Sequence, residues 1–183
     1  MKIITAPNNT LREHAQAVTA REPRFAHFIS ELEDTLYATR NPKGVGLAAP
    51  QVATLYRVFA THLDDGMRVF INPEIINKSA EITFGPDKND PYLEGCLSIP
   101  GLYGPVPRHH SLKLRYQVLE GNALSEPREE EFEDFPARVV QHEFDHLEGI
   151  LFTDYTRHFN LPLYQGKRGG KLELIDASLV ALY

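Results

Sequence analysis

The spacing of apolar and polar residues divides the chain into segments of different period. Between Pro23 and Arg40, the residues Phe25, Phe28, Ile29, Leu32, Leu36 and Tyr37 recur at three- and four-residue steps with charges between them. That spacing predicts a first long helix. The run NPKGVG closes it, because one proline and two glycines within six residues break a helix. Runs at 55–63 (LYRVFATHL), 67–76 (MRVFINPEII) and 111–119 (SLKLRYQVL) are rich in β-branched and aromatic residues and partly alternate, which predicts strands. Another strand is expected near 128–134, entered through the turn-forming EGN at 120–122. Proline and glycine are frequent over 85–108, so a long structured loop around a short strand is expected there.

A second long helix is predicted from about Pro136 to Glu148. Pro136 suits its first position, Asp134 a cap, and Gly149 the C-terminal stop. Val140, Phe144, Leu147 and Leu151 fall on one side, while Val139, His142, Glu143 and His146 fall on the other. One side therefore goes to a core and the other is left for chemistry. The pattern fades after Asp154 until KLELIDASLVALY, which closes as a strand or a short helix. No repeat, linker or shift of composition marks a boundary, so a single domain over 1–183 is expected.

Composition changes this picture little. With 42% hydrophobic and 24% charged residues, the balance is that of a soluble globular protein. No apolar run reaches bilayer-spanning length, and the start MKIITAPNNTLREHAQ lacks a basic stretch followed by an apolar one. Neither a membrane span nor a secretory signal is expected. A net charge of −6 argues against a nucleic-acid partner bound through a basic surface, and GKRGGK at 166–171 reads as a solvated loop. The single cysteine, Cys96, excludes an internal disulfide and fits a reducing compartment. On packing grounds alone it reads as a small buried hydrophobe.

Candidate chemistry enters with QHEFDHLEG at 141–149, where His142, Glu143 and His146 form H-E-x-x-H. A shuffled chain of this composition would contain roughly 0.03 such matches. Two histidines four apart share a helix face and can hold a metal, but a hydrolytic metal usually takes three protein ligands and leaves one position for water. Three completions of the site can be compared. In the H-E-x-x-H-x-x-G-x-x-H pattern Gly149 is present, but Phe152 stands where the last histidine belongs. A glutamate from a later helix would have to be Glu173, in a segment without a clear helical pattern. Cys96, in EGCLSIPG, offers a thiolate suited to zinc or ferrous iron. His109 and His110 are adjacent, so on a strand they point to opposite faces and chelate poorly.

Three stretches taken in order, GVGLAAPQ (44–51), EGCLSIPG (94–101) and QHEFDHLEG, resemble the peptide deformylase family with its G-x-G-L-A-A-x-Q, E-G-C-L-S and H-E-x-D-H motifs. The opening APNNTLR is similar to that family's N-terminal segment. The resemblance covers about residues 1–155 and leaves 156–183 as a tail of undefined structure. It implies an α+β fold, mostly antiparallel strands packed around the motif helix. The implied activity is hydrolysis of the N-formyl group from the formylmethionine of newly made polypeptides, releasing formate. The implied cofactor is one divalent metal on Cys96, His142 and His146, ferrous iron in many members, with zinc, nickel or cobalt as alternatives. Glu143 would shuttle protons, while the Gln51 side-chain amide and the Leu97 backbone N–H would donate to the oxyanion. Gly46 would contact substrate through its backbone, and Val45, Ile99 and Val139 are candidates for the methionine pocket. The implied partners are nascent formylmethionyl peptides and a transient ribosome contact, for a monomer in a bacterial-type cytoplasm or an organelle, with neither membrane nor specific nucleic acid. Two departures stand out: Glu148 where many members have aspartate, and GLYGPVPR without the basic residue some members place there. The rival readings are an internal peptidase that depends on Glu173 and a metal-binding module without turnover.

Overall fold

The computed structural model of the chain describes residues 1–19, 24–40, 42–85, 91–167 and 169–176. Helix α1 (Phe25–Ala38) precedes strands β1 (Gly46–Ala48), β2 (Val58–Leu63), β3 (Gly66–Lys78), β4 (Ile82–Thr83), β5 (Leu93–Cys96) and β6 (Ile99–Pro105). Strands β7 (Arg108–His109), β8 (Ser111–Gln117), β9 (Leu119–Glu120), β10 (Ala123–Leu124) and β11 (Arg128–Glu133) lead into helix α2 (Asp134–Leu147). Helix α3 (Phe152–His158) and strands β12 (Leu163–Gly166) and β13 (Leu172–Ile175) follow. The strand pairs are antiparallel, so the class is α+β as expected. Among the described residues no helix is long and apolar enough to cross a membrane.

Two larger sheets organise the chain. One has the order β1-β2-β3-β8-β11, and the other β13-β12-β6-β5. Alternation along β8 buries Leu112, Leu114 and Tyr116 on one face, where they join Phe59, Phe70 and Phe132 beneath Ala137, Val140 and Leu147 of α2. The opposite face of that sheet receives Phe25, Ile29, Leu32 and Leu36 of α1 against Val58, Ala60 and Ile71. A third core joins Leu11, Leu102, Val106, Leu151, Phe152 and Leu163 around the second sheet and α3. β1 and β5 each end their sheet, and among the described residues this leaves two free strand edges at the functional site.

Several sequence expectations need correction. α1 begins at Phe25, and Pro23 lies outside the described residues. α2 begins at Asp134 rather than Pro136. Asp134 is the first residue of the helix, although its φ of 53° is left-handed, and the cap position falls to Glu133, which makes no side-chain cap bond, so Asp134 is not the cap. Gly149 does end the helix, with φ +69°, and it has a second duty. A Cβ there would lie 2.5 Å from the carbonyl oxygen of Arg12, where the N-terminal segment crosses. The expected loop over 85–108 contains the β5–β6 pair, and its Pro86–Asp90 part lies outside the described residues. Gly95, Gly101 and Gly104 are strand glycines, and the ring of Tyr103 lies against Gly95, where a Cβ would come within 2.8 Å of it. The tail also holds structure, because β12 pairs with β6 and β13 pairs with β12. Residues 177–183 lie outside the described set.

Candidate active site and metal centre

Two periodicities meet at the site. Along β5 the side chains alternate, so Glu94 and Cys96 are buried on one face while Gly95 is exposed. Along α2, His142 and His146 stand one turn apart on one side. Two strand residues advance about 6.6 Å, and four helical residues advance about 6 Å. The strand pair therefore meets the helix pair in register. Glu94 Oε2 lies 3.0 Å from His142 Nδ1, and Cys96 Sγ lies 3.2 Å from His146 Nε2.

The ligand atoms of Cys96, His142 and His146 all lie within 4.8 Å of one another. Metal–sulfur and metal–nitrogen bonds of about 2.3 and 2.0 Å put tetrahedral ligand atoms roughly 3.3–3.7 Å apart, so a small inward adjustment closes the set around one ion. With Nδ1 of His142 engaged by Glu94, Nε2 is the nitrogen left to a metal. The Gln51 side-chain amide and the Ser98 backbone N–H both point at Cys96 Sγ, each at 3.4 Å, and fix the sulfur at the turn between β5 and β6. A soft sulfur with two imidazoles suits a single divalent metal. The other candidates are elsewhere. Phe152 is buried in the third core, and Glu173 is an exposed residue of β13 paired with Lys167. His109 bonds Ser79, while His110 meets Glu133 and Asp134, so that pair is split as expected.

Electrostatics distinguish the groups. Burial alone would raise the Glu94 carboxyl, but the Arg108 charge and the hydrogen bond from His142 outweigh it and hold the group well below the usual carboxylate range. Among the described residues Glu143 has no cationic hydrogen-bond partner. Burial pushes it up to about 7, against the opposing charge of His142, and its Oε2 is buried without a hydrogen-bond partner among the described residues. Burial, then the charges of His142 and Arg108, keep His146 well below the imidazole range, in the neutral form that offers a lone pair. For His142, burial lowers the pKa, but hydrogen bonds to Cys96 and Glu94 raise it more, so a metal taking Nε2 displaces a proton.

Glu94, Cys96, His142 and Glu143 face a cleft of about 270 Å³ bounded by β1 and β5, with Gln51, Leu97 and Val139 also in its lining. The Gln51 side chain is locked: Oε1 accepts from the Ala48 N–H at 2.8 Å, which turns its amide nitrogen toward Cys96 and Ser98. Gly46 touches the cleft, and a Cβ there would lie 2.2 Å from Glu143 Oε1. The glycine makes room for the glutamate, which the sequence reading had not foreseen. Val45 and Val139 line the cleft. Ile99 does not, because it packs at 1% exposure beside Leu11 and Leu102 in the third core. The sequence reading missed Tyr92 and Phe135, an edge-to-face pair at the cleft whose ring centroids lie 5.8 Å apart. It also missed Glu94, although the glutamate of EGCLS, two residues before a candidate ligand, has the spacing of a supporting carboxylate.

The polypeptide deformylase family model matches residues 1–161. The chain belongs to the polypeptide deformylase family. As a polypeptide deformylase it is a hydrolase that acts on the formyl amide bond and removes the N-formyl group from nascent peptides. A peptide deformylase of Pseudothermotoga lettingae is 42% identical over 154 residues, 84% of this chain and 81% of the relative. Peptide deformylase 1 of Clostridium perfringens is 41% identical over 147 residues, 79% of this chain and 90% of the relative. Among solved structures, a class I type b peptide deformylase of Acinetobacter baumannii superposes with a TM-score of 0.70 at 38% identity, covering 83% of this chain and 96% of that one. The enzyme of Synechococcus elongatus in complex with actinonin gives 0.72 at 30% identity, covering 85% and 78%.

Proposed function

We propose that Cys96, His142 and His146 hold one ferrous ion in the resting deformylase, that Glu143 moves the protons, and that Gln51 and Leu97 stabilise the oxyanion. The observation that carries this assignment is the convergence of the three ligand atoms beside a buried carboxylate oxygen without a partner. A divalent cation held there supplies a Lewis acid and lowers the pKa of water. Glu143, next to the ligand His142 in sequence, is turned toward Gly46 rather than into the ligand set, so its carboxylate is free to take a proton from the attacking water. Water adds to the formyl carbon, the C–N bond breaks, the same carboxyl returns the proton to the departing amine, and formate leaves. Charge that develops on the formyl oxygen meets the Gln51 amide, whose direction is fixed by Ala48, and the Leu97 N–H at the β5–β6 turn.

The substrate is an extended peptide. Two strand edges that are unpaired among the described residues, β1 and β5, flank the cleft, and an added strand can take backbone bonds from either side. The formylmethionine side chain then enters between Val45, Val139, Tyr92 and Phe135. We take the working form to be a monomer in a bacterial-type cytoplasm that meets nascent chains in transient contact with the ribosome. The net charge of −6 is in keeping with no direct hold on nucleic acid. The test is formate release from formyl-Met-Ala-Ser by protein purified anaerobically with ferrous iron, with metal content measured in parallel. Cys96→Ala is expected to lose the metal and Glu173→Ala to keep it. The opposite pattern would overturn the ligand assignment.

A further inference from the structure

Glu94 has more partners than the orientation of one imidazole requires. Oε2 accepts from His142 Nδ1 at 3.0 Å and from Arg108 Nη2 at 2.8 Å. Oε1 accepts from Arg108 Nε at 3.0 Å and from Arg138 Nη1 at 2.8 Å. Arg108 also reaches Asp145 through Nη1. One buried cluster thus holds two carboxylates and two guanidiniums, and their formal charges cancel. Without Arg138 the three groups left would sum to one negative charge, and Glu94 Oε1 would keep Arg108 as its guanidinium partner.

Arg138 is anchored independently of Glu94. Nη1 donates to the Val106 carbonyl at 2.7 Å, and Nη2 donates to the Thr83 carbonyl at 2.8 Å. Arg108 grips both oxygens of Glu94 but is shared with Asp145, so its fork alone lets the carboxylate move with it. Arg138 ties the same carboxylate to the backbone of two other segments. It also stands four residues before His142 on α2, on the same side of the helix. Its guanidinium can therefore fix the carboxylate that faces the next turn of its own helix.

We propose that Arg138 is a positioning residue for His142 that acts through Glu94. By holding Oε1 it leaves Oε2 turned to the imidazole Nδ1 and keeps Nε2 in the ligand position. This rests on the metal-centre reading, and the experiment separates the two. Full-length protein loaded with zinc is first assayed for stoichiometry, and failure of the wild type to hold about one zinc would remove the metal centre itself.

With zinc bound, release to an excess of chelator is timed for Arg138→Met, Glu94→Gln and the double variant. Arg138→Met is expected to release zinc about 10-fold faster or more, within the range of roughly 10–100-fold for partners that orient a ligand. The double variant is expected to release no faster than Glu94→Gln alone, because both changes interrupt one chain of contacts. The His142 Nδ1–H resonance of the zinc form is expected to move in Arg138→Met. If that variant does not fold, Arg138→Gln, which keeps a donor without the charge, replaces it in the same comparison. Wild-type release rates in the single arginine variant, or effects that multiply in the double variant, would overturn the proposal. A lower melting temperature with unchanged zinc release would do the same, since it marks a purely structural residue.

Discussion

Gly46→Ala is a one-carbon change whose consequence follows from distances. The new Cβ would lie 2.2 Å from Glu143 Oε1, 2.6 Å from Cδ and 2.7 Å from Cγ. Carbon–oxygen contacts settle at about 3.3 Å or more, so the two groups must separate by roughly 1 Å. Gly46 is paired with Thr61 in β1, and it is buried, so the backbone resists the move. The Glu143 side chain gives way instead, although it too is only 3% exposed. A reacting group misplaced by about 1 Å costs on the order of 10²-fold in rate. Overpacking costs about 1–3 kcal/mol, and each kcal/mol lowers Tm by about 2–4 °C in a chain of this size.

Gly46→Ala is therefore expected to keep its metal, since the Cβ contacts are with Glu143 rather than a ligand, while kcat on formyl-Met-Ala-Ser falls about 100-fold. Glu143→Ala sets the floor for kcat and is also expected to keep its metal. The double variant should be no slower than Glu143→Ala and more stable than Gly46→Ala, because the clash has been removed. A Gly46→Ala enzyme with kcat within about threefold of wild type would refute the idea that Glu143 acts from this position. Loss of metal from it would refute the claim that the contact spares the ligands.

Two other perturbations have definite outcomes. Gln51→Ala is expected to lower kcat about 10²-fold or more with KM changed much less and metal retained, and Gln51→Glu to be at least as damaging, because a carboxylate offers no donor. A normal kcat in Gln51→Ala would reduce Gln51 to an anchor for Ala48. Glu94→Gln leaves two buried guanidiniums undercompensated and is expected to cost about 3–5 kcal/mol of stability at pH 7 by denaturant unfolding. Glu94 has a folded-state pKa below its unfolded value, so its stabilisation is complete above about pH 4.3 and is lost as pH falls toward the folded pKa. The gap between wild type and Glu94→Gln should narrow on acidification below that value, and a gap independent of pH would show that Glu94 is not the titrating group.

The sequence made the local features readable. The α2 faces divide as the helical spacing predicts, with Val140 and Leu147 in the core and Val139, His142 and Glu143 at the cleft. Cys96 could be singled out because sulfur is a strong ligand and Phe152 is none. Features that depend on distant partners were not readable. The cluster on Glu94 joins residues 14, 44 and 48 positions away, and no local pattern pairs a glutamate with Arg108, Arg138 and His142. The strands β6 and β12 were hidden for the same reason. The prolines and glycines of β6 and the glycine that ends β12 read as loop residues, and only the Tyr103 ring lying between Gly95 of β5 and Gly166 of β12 explains why glycine is suitable at those two positions. The role of Gly46 was read as access for substrate, since its contact with Glu143 joins two motifs almost a hundred residues apart.

The meeting of β5 with α2 also constrains how this site can vary. Glu94 and Cys96 share a strand face because the strand period is two, so a one-residue slip in β5 would turn both outward and bring Gly95 inward. That slip would take a metal ligand and the partner of another ligand away together, leaving Arg108 and Arg138 buried without their shared carboxylate. On α2 the corresponding slip of one residue rotates the helix by about 100°, which would bring Glu143 toward the ligand position and carry His142 away. Ligand binding and proton transfer are therefore assigned by register, with His142 and Glu143 adjacent in sequence but turned to different neighbours. The contact between Gly46 and Glu143 guards that division from the other side of the cleft, because only a residue without a side chain leaves the carboxylate its place.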